Sequence, residues 1–360
     1  MAKRFDLVDK PTLRKKHKGD IPLVGGVAIF VSFCVAQSLF GLNHGTTLPF
    51  LVLACCLVII GVIDDYAQLG SQIRLVVQAL IALGMIYLTG LEINNLGNLV
   101  SLGPVYLGPW LGAFFTIFCT IGIVNSINMI DGVDGLAGTL VLISLSALCF
   151  LAWYAHILVE ALMLLMLCAC VSGFLLFNAR LIFKRAHVFL GDAGSMLLGF
   201  MLLWFFLKLS QSEHQTLSPV GAGWVFGLPL IDTVVVMVKR ILNGKSPFLA
   251  DRTHLHHRLI DQGFSVNKTV ATMAAIHGFF VLGGIFVSLQ PQSETPMFWL
   301  FIVLLPAYYF WSDQFAVAKS NGSSVIEEPT LNSSNSEVTE STMNTHEADV
   351  DQRKSTIETI

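Results

Sequence analysis

The chain has 360 residues, 54% of them hydrophobic and only 12% charged, with a formal net charge of −3. A soluble domain carries about 25% charged residues, so this composition excludes an ordinary water-facing surface and points to a bilayer as the solvent. The small net charge gives no electrostatic ground for a nucleic-acid partner.

The first twenty residues are polar and basic and lack the apolar centre of a cleavable signal. They lead into KHKGDIPLVGG (16–26), where Lys18 precedes Pro22 and the Gly25–Gly26 pair at a helix start. Attraction to anionic lipid heads is a sufficient account of these basic residues. About 20 apolar residues cross a bilayer as a helix. Ten runs meet that description: 21–41, 48–63, 74–90, 108–127, 135–154, 158–178, 193–210, 220–242, 267–288 and 296–312. The fold class expected is therefore an all-α polytopic membrane protein.

The second run stops at Asp64, in GVIDDYAQLG (61–70). The adjacent carboxylates of Asp64 and Asp65 repel unless a cation or a basic group relieves them, which suits metal or phosphate handling. A solvated helix end is the plain alternative. Between the third and fourth runs, 91–107 is rich in Gly and Asn and is expected to form a small hairpin. NSINMIDGVDGLAG (125–138) follows the fourth run. Asn125, Asn128 and Asp131 recur every three residues, roughly on one helix face. Gly132 and Gly135 permit a tight turn, and Asp134 can cap the next helix. A calcium loop does not fit, because Val133 takes a ligand position and no Glu closes the loop.

FNARLIFKRAHVFLGDAGS (177–195) places Asp192 between glycines at a helix start. Free N–H groups there favour phosphate oxygens, and Lys184 and Arg185 add positive charge. Asp232 is the one acid deep inside a run, with either a structural contact or a share in the site open to it. SPFLADRTHLHHRLIDQGF (246–264) sets His254, His256 and His257 beside Arg252 and Arg258. Zinc is conceivable, but without a nearby Cys an anion cradle fits better. From about Lys319, Ser, Thr, Asn and Glu dominate, a composition that cannot bury a core. The seven cysteines all lie in apolar runs and read as reduced core residues.

Ten crossings put both termini on one side. That side holds every Lys and Arg except Lys208, which is 21 less 1, or 20. The asymmetry makes it cytoplasmic. The motif acids Asp64, Asp65, Asp131, Asp134 and Asp192 lie there too, at helix tips where a charge needs a partner or a task. Three regions result: a basic cytoplasmic segment at 1–20, a transmembrane catalytic domain at 21–312 and a disordered cytoplasmic tail at 313–360.

LVDKP, PLVGG, IDDY, NxxNxxDGxDGLAG, FLGDAGS and DRTHLHH, in this order, resemble the polyprenyl-phosphate N-acetylhexosamine-1-phosphate transferases over about residues 6–312. The H-x-H-H form is similar to the branch that uses UDP-N-acetylglucosamine. The branch that uses UDP-muramoyl-pentapeptide usually has three consecutive His. Family members usually have an eleventh helix before LVDKP, whereas this chain begins at that loop. The resemblance implies transfer of N-acetylglucosamine 1-phosphate to undecaprenyl phosphate with release of UMP. The product would start a cell-envelope polysaccharide such as O antigen or enterobacterial common antigen, at a bacterial inner membrane. It also implies Mg²⁺ or Mn²⁺, and leaves a homodimer open. By the same likeness Asp192 is a metal ligand, and Asp64 and Asp65 bind metal or activate the lipid phosphate. Asn125, Asn128, Asp131 and Asp134 form the nucleotide and catalytic face, and Lys18, Asn178, Arg252 and the histidines bind substrate.

A phosphate monoester is mostly dianionic at neutral pH, so such a nucleophile needs little help from a base. Repulsion from the diphosphate is the greater obstacle, which a cation and basic side chains would lessen. Direct in-line attack is the favoured path, with a phosphorylated Asp as its rival. A transporter would place its ionisable groups near the bilayer midplane, and a non-catalytic scaffold would have lost motif acids. Neither pattern is present.

Overall fold

The computed structural model describes residues 7–9, 20–41, 45–180, 182–212, 215–247 and 253–322. Two short strands, β1 (Val8–Asp9) and β2 (Ile21–Pro22), pair antiparallel, Val8 opposite Pro22. The helices are α1 (Gly25–Phe40), α2 (Thr47–Ala67), α3 (Ser71–Thr89), α4 (Pro109–Ile130), α5 (Leu136–Tyr154), α6 (Leu158–Asn178), α7 (Gly191–Ser210), α8 (Pro219–Val225), α9 (Gly227–Leu242), α10 (Leu255–Asp261), α11 (Val266–Leu289) and α12 (Glu294–Gly322). The all-helical polytopic architecture read from composition is the one observed. All seven cysteines are free.

α7 is the axis of the bundle. Every residue from Ala193 to Leu207 is buried, as expected of a helix that is apolar on all sides. α1, α2, α4 and α5 surround it. Lipid tails are as apolar as Leu, so helices in a bilayer associate through close packing at small residues. Here a side chain at Gly61 would strike the backbone of Ala193, and one at Gly26 the backbone of Gly194. Gly199 lies in the same way against Val124. The PLVGG segment thus serves helix contact. The first donors of α1 are also met by the chain leading into α7, Gly25 N–H donating to Phe189 O (3.0 Å) and Gly26 N–H to Leu190 O (3.1 Å).

Among the described residues, eight helices are long and apolar enough to cross a membrane, and nine if α8 and α9 count as one. The run expected as a straight span at 220–242 is instead broken at Phe226, where α8 and α9 meet at 79°. Gly227 and Pro229 weaken continuation of the helix. Carbonyls near the break find side-chain donors: Ser144 Oγ–H donates to Val225 O (2.9 Å) and Ser126 Oγ–H to Pro229 O (2.9 Å). α1 is also shorter than the 21–41 run, at 16 residues.

At the end of the bundle away from Asp64, 91–107 makes the expected hairpin. Leu96 N–H donates to Val105 O (2.9 Å) and Val105 N–H to Gly97 O (3.0 Å). The Gln211 side chain accepts from Asn94 and Asn95 N–H, and Glu294 accepts from Asn98 N–H (2.7 Å), which fasten the hairpin to the ends of α7 and α12.

Candidate active site

The opposite end gathers the motifs. The C-terminal ends of α2, α4 and α6 meet there with the starts of α1, α3, α5 and α7. Asp65, in the last turn of α2, spans the start of α7: Oδ1 accepts from Asp192 N–H (2.8 Å) and Oδ2 from Ala193 N–H (3.2 Å). The donors expected to face phosphate are therefore engaged by a carboxylate from a neighbouring helix, which also suits the positive end of the helix dipole. Gly191, at φ 73°, allows this approach, since a side chain there would meet Asp65 Oδ2 at 2.6 Å.

Asp64 is buried, and both of its oxygens are engaged. Oδ1 accepts from Leu69 N–H (2.8 Å) and Oδ2 from Arg74 Nη1 (3.2 Å). Asp192 Oδ1 accepts from Asn128 Nδ2 (2.5 Å) and lies 3.8 Å from Arg74 Nη1. Asn128 also donates to Ser195 Oγ (2.9 Å). Asn125, one turn earlier on α4, reaches α3 instead and donates to Gln78 Oε1 (2.6 Å). Asp131 follows the last residue of α4. Burial above all, then the neighbouring charges of Asp192, Asp65 and Asp134, push its carboxyl up to about 8.

Asp134 does not cap α5 as its position in sequence allows. Gly135 stands at that cap with φ 80°, and Asp134 Oδ2 accepts from Arg180 Nε (2.8 Å). Asn178 uses both ends of its amide within the fold: Oδ1 accepts from Gly135 N–H (2.7 Å) and Nδ2 donates to Val188 O (2.8 Å). It ties the Asp131–Asp134 turn to the loop before α7.

The histidines are placed differently from one another. His254 is buried with Nδ1 2.8 Å from Asp232 Oδ2. His256 is buried against Gly132, where a side chain would meet Nε2 at 2.6 Å. His257 is half-buried, with its ring centroid 4.2 Å from that of His256. The choice left open for Asp232 is resolved as a contact that seats α10: Oδ1 accepts from Leu255 N–H (3.1 Å) and Tyr308 Oη–H (2.7 Å). Lys18 and Arg252 lie outside the described residues.

Sequence reasoning missed Arg74, Gln78 and Arg180. A signal existed for Arg74. It stands in the first turn of α3, where the helix dipole disfavours a cation unless acids face it.

Five carboxylates crowd this end (Asp64, Asp65, Asp131, Asp134 and Asp192), and among the described residues Arg74 and Arg180 are the basic groups bonded to them. A surplus of negative charge would repel a phosphate, so the residues suit a divalent cation. The donors are oxygens, which favour Mg²⁺ or Mn²⁺ over softer ions. Among the described residues no three acid, His or Cys side chains form a ready-made cation cage. Mg²⁺ usually takes one or two carboxylates together with substrate phosphates and water, which fits Asp192 with Asp131 beside it.

The sequence model of glycosyl transferase family 4 matches residues 47–210, the stretch that carries all five acids. Curated relatives match over most of the chain. The undecaprenyl-phosphate alpha-N-acetylglucosaminyl 1-phosphate transferase of Salmonella typhi is 34% identical over 317 residues, 86% of this chain and 84% of that protein. The protein of the same name from Escherichia coli K12 is 33% identical over 313 residues, with the same coverage. That of Yersinia pestis is 36% identical over 277 residues, 76% of each chain.

Proposed function

This chain belongs to glycosyl transferase family 4, and from that premise we propose that it moves N-acetylglucosamine 1-phosphate from UDP-N-acetylglucosamine onto undecaprenyl phosphate, releasing UMP. The product would be the lipid-linked first sugar of a bacterial cell-envelope polysaccharide, made at the cytoplasmic face of the inner membrane. The observation that carries this reading is the convergence of Asp64, Asp65, Asn128, Asp131 and Asp192 at one end of a membrane bundle. There a lipid-borne phosphate and a water-borne nucleotide can meet.

Asp192, held by Asn128 and by the start of α7, would hold a divalent cation with Asp131 and Asp64 as its neighbouring carboxylates. That cation, when bound, would neutralise diphosphate charge and stabilise the leaving phosphate. Asp65 fixes the backbone that aims Asp192. Arg180 and Lys184 line a cavity of about 370 Å³ together with Ile182, Phe183, Ser265, Val266 and Asn267. Lys184, with Arg180 through the groups that Asp134 leaves free, adds positive charge along the nucleotide's approach. The nucleophile is the lipid phosphate, already a dianion. Both oxygens of Asp65 already accept hydrogen bonds, Asp64 Oδ1 accepts from Leu69 N–H, and Asp134 is paired with Arg180. These engagements favour direct attack over a covalent carboxylate intermediate.

The test is UMP release from UDP-N-acetylglucosamine by the purified chain in detergent, with and without undecaprenyl phosphate. Release should require the lipid in the same turnover, with sequential kinetics and inversion at phosphorus. Exchange of UMP into UDP-sugar without lipid would establish the two-step path. Release with a different UDP-hexosamine alone would replace the donor.

A further inference from the structure

Arg74 sits between the two carboxylates that a cation would most affect. Its Nη1 lies 3.2 Å from Asp64 Oδ2 and 3.8 Å from Asp192 Oδ1. A guanidinium carries five N–H donors in a planar fork. Here a single nitrogen serves both acids, and Nε is buried without an acceptor. A buried donor left unmet is unfavourable, so this arrangement satisfies the acids better than the arginine. Asp64 is 2% exposed and must keep a positive partner, whereas the Arg74 side chain is 26% exposed and has room to turn. A divalent cation shared by Asp64 and Asp192 would take the place of Nη1 and repel the guanidinium.

The surroundings indicate where the guanidinium goes. Ile73, Val76 and Leu80 of α3 are all more than half exposed and form an apolar surface facing lipid. A phosphate carried on a polyprenyl chain arrives along that surface. Arginine pairs with phosphate through two parallel N–H groups, which would give Nε its missing acceptor. Arg180 and Lys184, which line a cavity of their own, are the basic groups that the function proposed above gives to the nucleotide.

We propose that Arg74 is a cation-exchanged phosphate clamp: it bridges Asp64 and Asp192 while metal is absent, yields them to the divalent cation, and then binds the phosphate of the incoming lipid. The acceptor half rests on the function proposed above. The cation half rests only on the residues described.

The experiment uses the full chain in detergent and has two arms. In the first, Mn²⁺ binding without substrates is measured from the free-ion electron paramagnetic resonance signal. Arg74→Gln removes a competing charge and should bind Mn²⁺ about tenfold more tightly than wild type. A clamp that merely held the acids in place would predict the reverse, so equal or weaker binding overturns the proposal. Arg74→Lys, which keeps the charge and loses the fork, supplies the reading if the Gln variant does not fold. It should bind Mn²⁺ like wild type, and markedly weaker binding again overturns the proposal. In the second arm, at saturating Mn²⁺, both variants should raise KM for undecaprenyl phosphate about tenfold or more. KM for UDP-N-acetylglucosamine should change less than twofold. A rise confined to the donor overturns the assignment of the clamp to the lipid. Absence of UMP release by wild type would count against the proposed function alone, since the Mn²⁺ arm needs no substrate.

Discussion

Asp64 and Asp65 are neighbours in sequence with different surroundings. The sequence offers both as metal ligands, and a period of 3.6 residues turns adjacent side chains about 100° apart. Asp65 faces the start of α7 and accepts from the N–H groups of Asp192 and Ala193, while Asp64 faces Leu69 and Arg74. Among the described residues the Asp192 side chain is engaged through Oδ1 only, and it lies beside Asp131. Two substitutions therefore separate what the motif joins. Asp192→Asn should lower turnover by a thousandfold or more, since loss of a ligand charge removes several kcal/mol of transition-state stabilisation. Asp65→Asn keeps one acceptor for the helix start and loses the charge, so turnover should fall only about tenfold. Its Mg²⁺ requirement should stay near that of wild type. A Mg²⁺ titration of both variants decides the matter, and an Asp65→Asn curve displaced as far as that of Asp192→Asn would make Asp65 a ligand after all. The motif acids were legible in sequence because charges at apolar helix ends stand out. Arg74 was not, because one arginine among the basic residues of that face gains meaning only from the acids opposite it.

Helices were legible as apolar runs, and their joints were not. The run at 220–242 is continuous in hydropathy, so nothing in it announces a 79° break. The break is stabilised by partners distant in sequence, Ser144 and Ser126. Asp232 gives the same lesson. Alone in an apolar run it had no assignable role, yet it receives three donors, from His254, Leu255 and Tyr308. It joins α9, α10 and α12, and through α10 it sets His256 against Gly132. Asp232→Ala would leave those buried donors unmet, at about 1–3 kcal/mol for each that finds no other acceptor. Hydrogen exchange should show α10 amides losing protection while the middle of α7 keeps its own. Unchanged protection across α10 would mean that the helix is held by its apolar contacts alone.

At the scale of the whole molecule, orientation follows from charge. In the loop alternation read from the sequence, 20 of the 21 Lys and Arg residues fall on the side of Asp64, Asp131 and Asp192, and the exception, Lys208, lies 3.9 Å from Glu160 near the other end. Basic residues resist translocation, so this end should stay in the cytoplasm. A cytoplasmic site is also what a nucleotide-sugar donor requires, because such donors are made in water on that side. The far end offers a control in Leu102, 90% exposed at the tip of the hairpin. We expect single cysteines, placed in a chain whose seven native cysteines are replaced by Ser, to divide into two groups. Those at Gln68, Lys184 and Gln262 are exposed at the site end. They should react with an impermeant maleimide only after the membrane is opened, while one at Leu102 should react in intact cells. A proportion of molecules labelled at both ends would indicate dual orientation. Labelling of Gln68 or Lys184 in intact cells, with Leu102 protected, would invert the protein in the membrane. The acids would then face a compartment without nucleotide sugars, and the transfer reaction could not be their function.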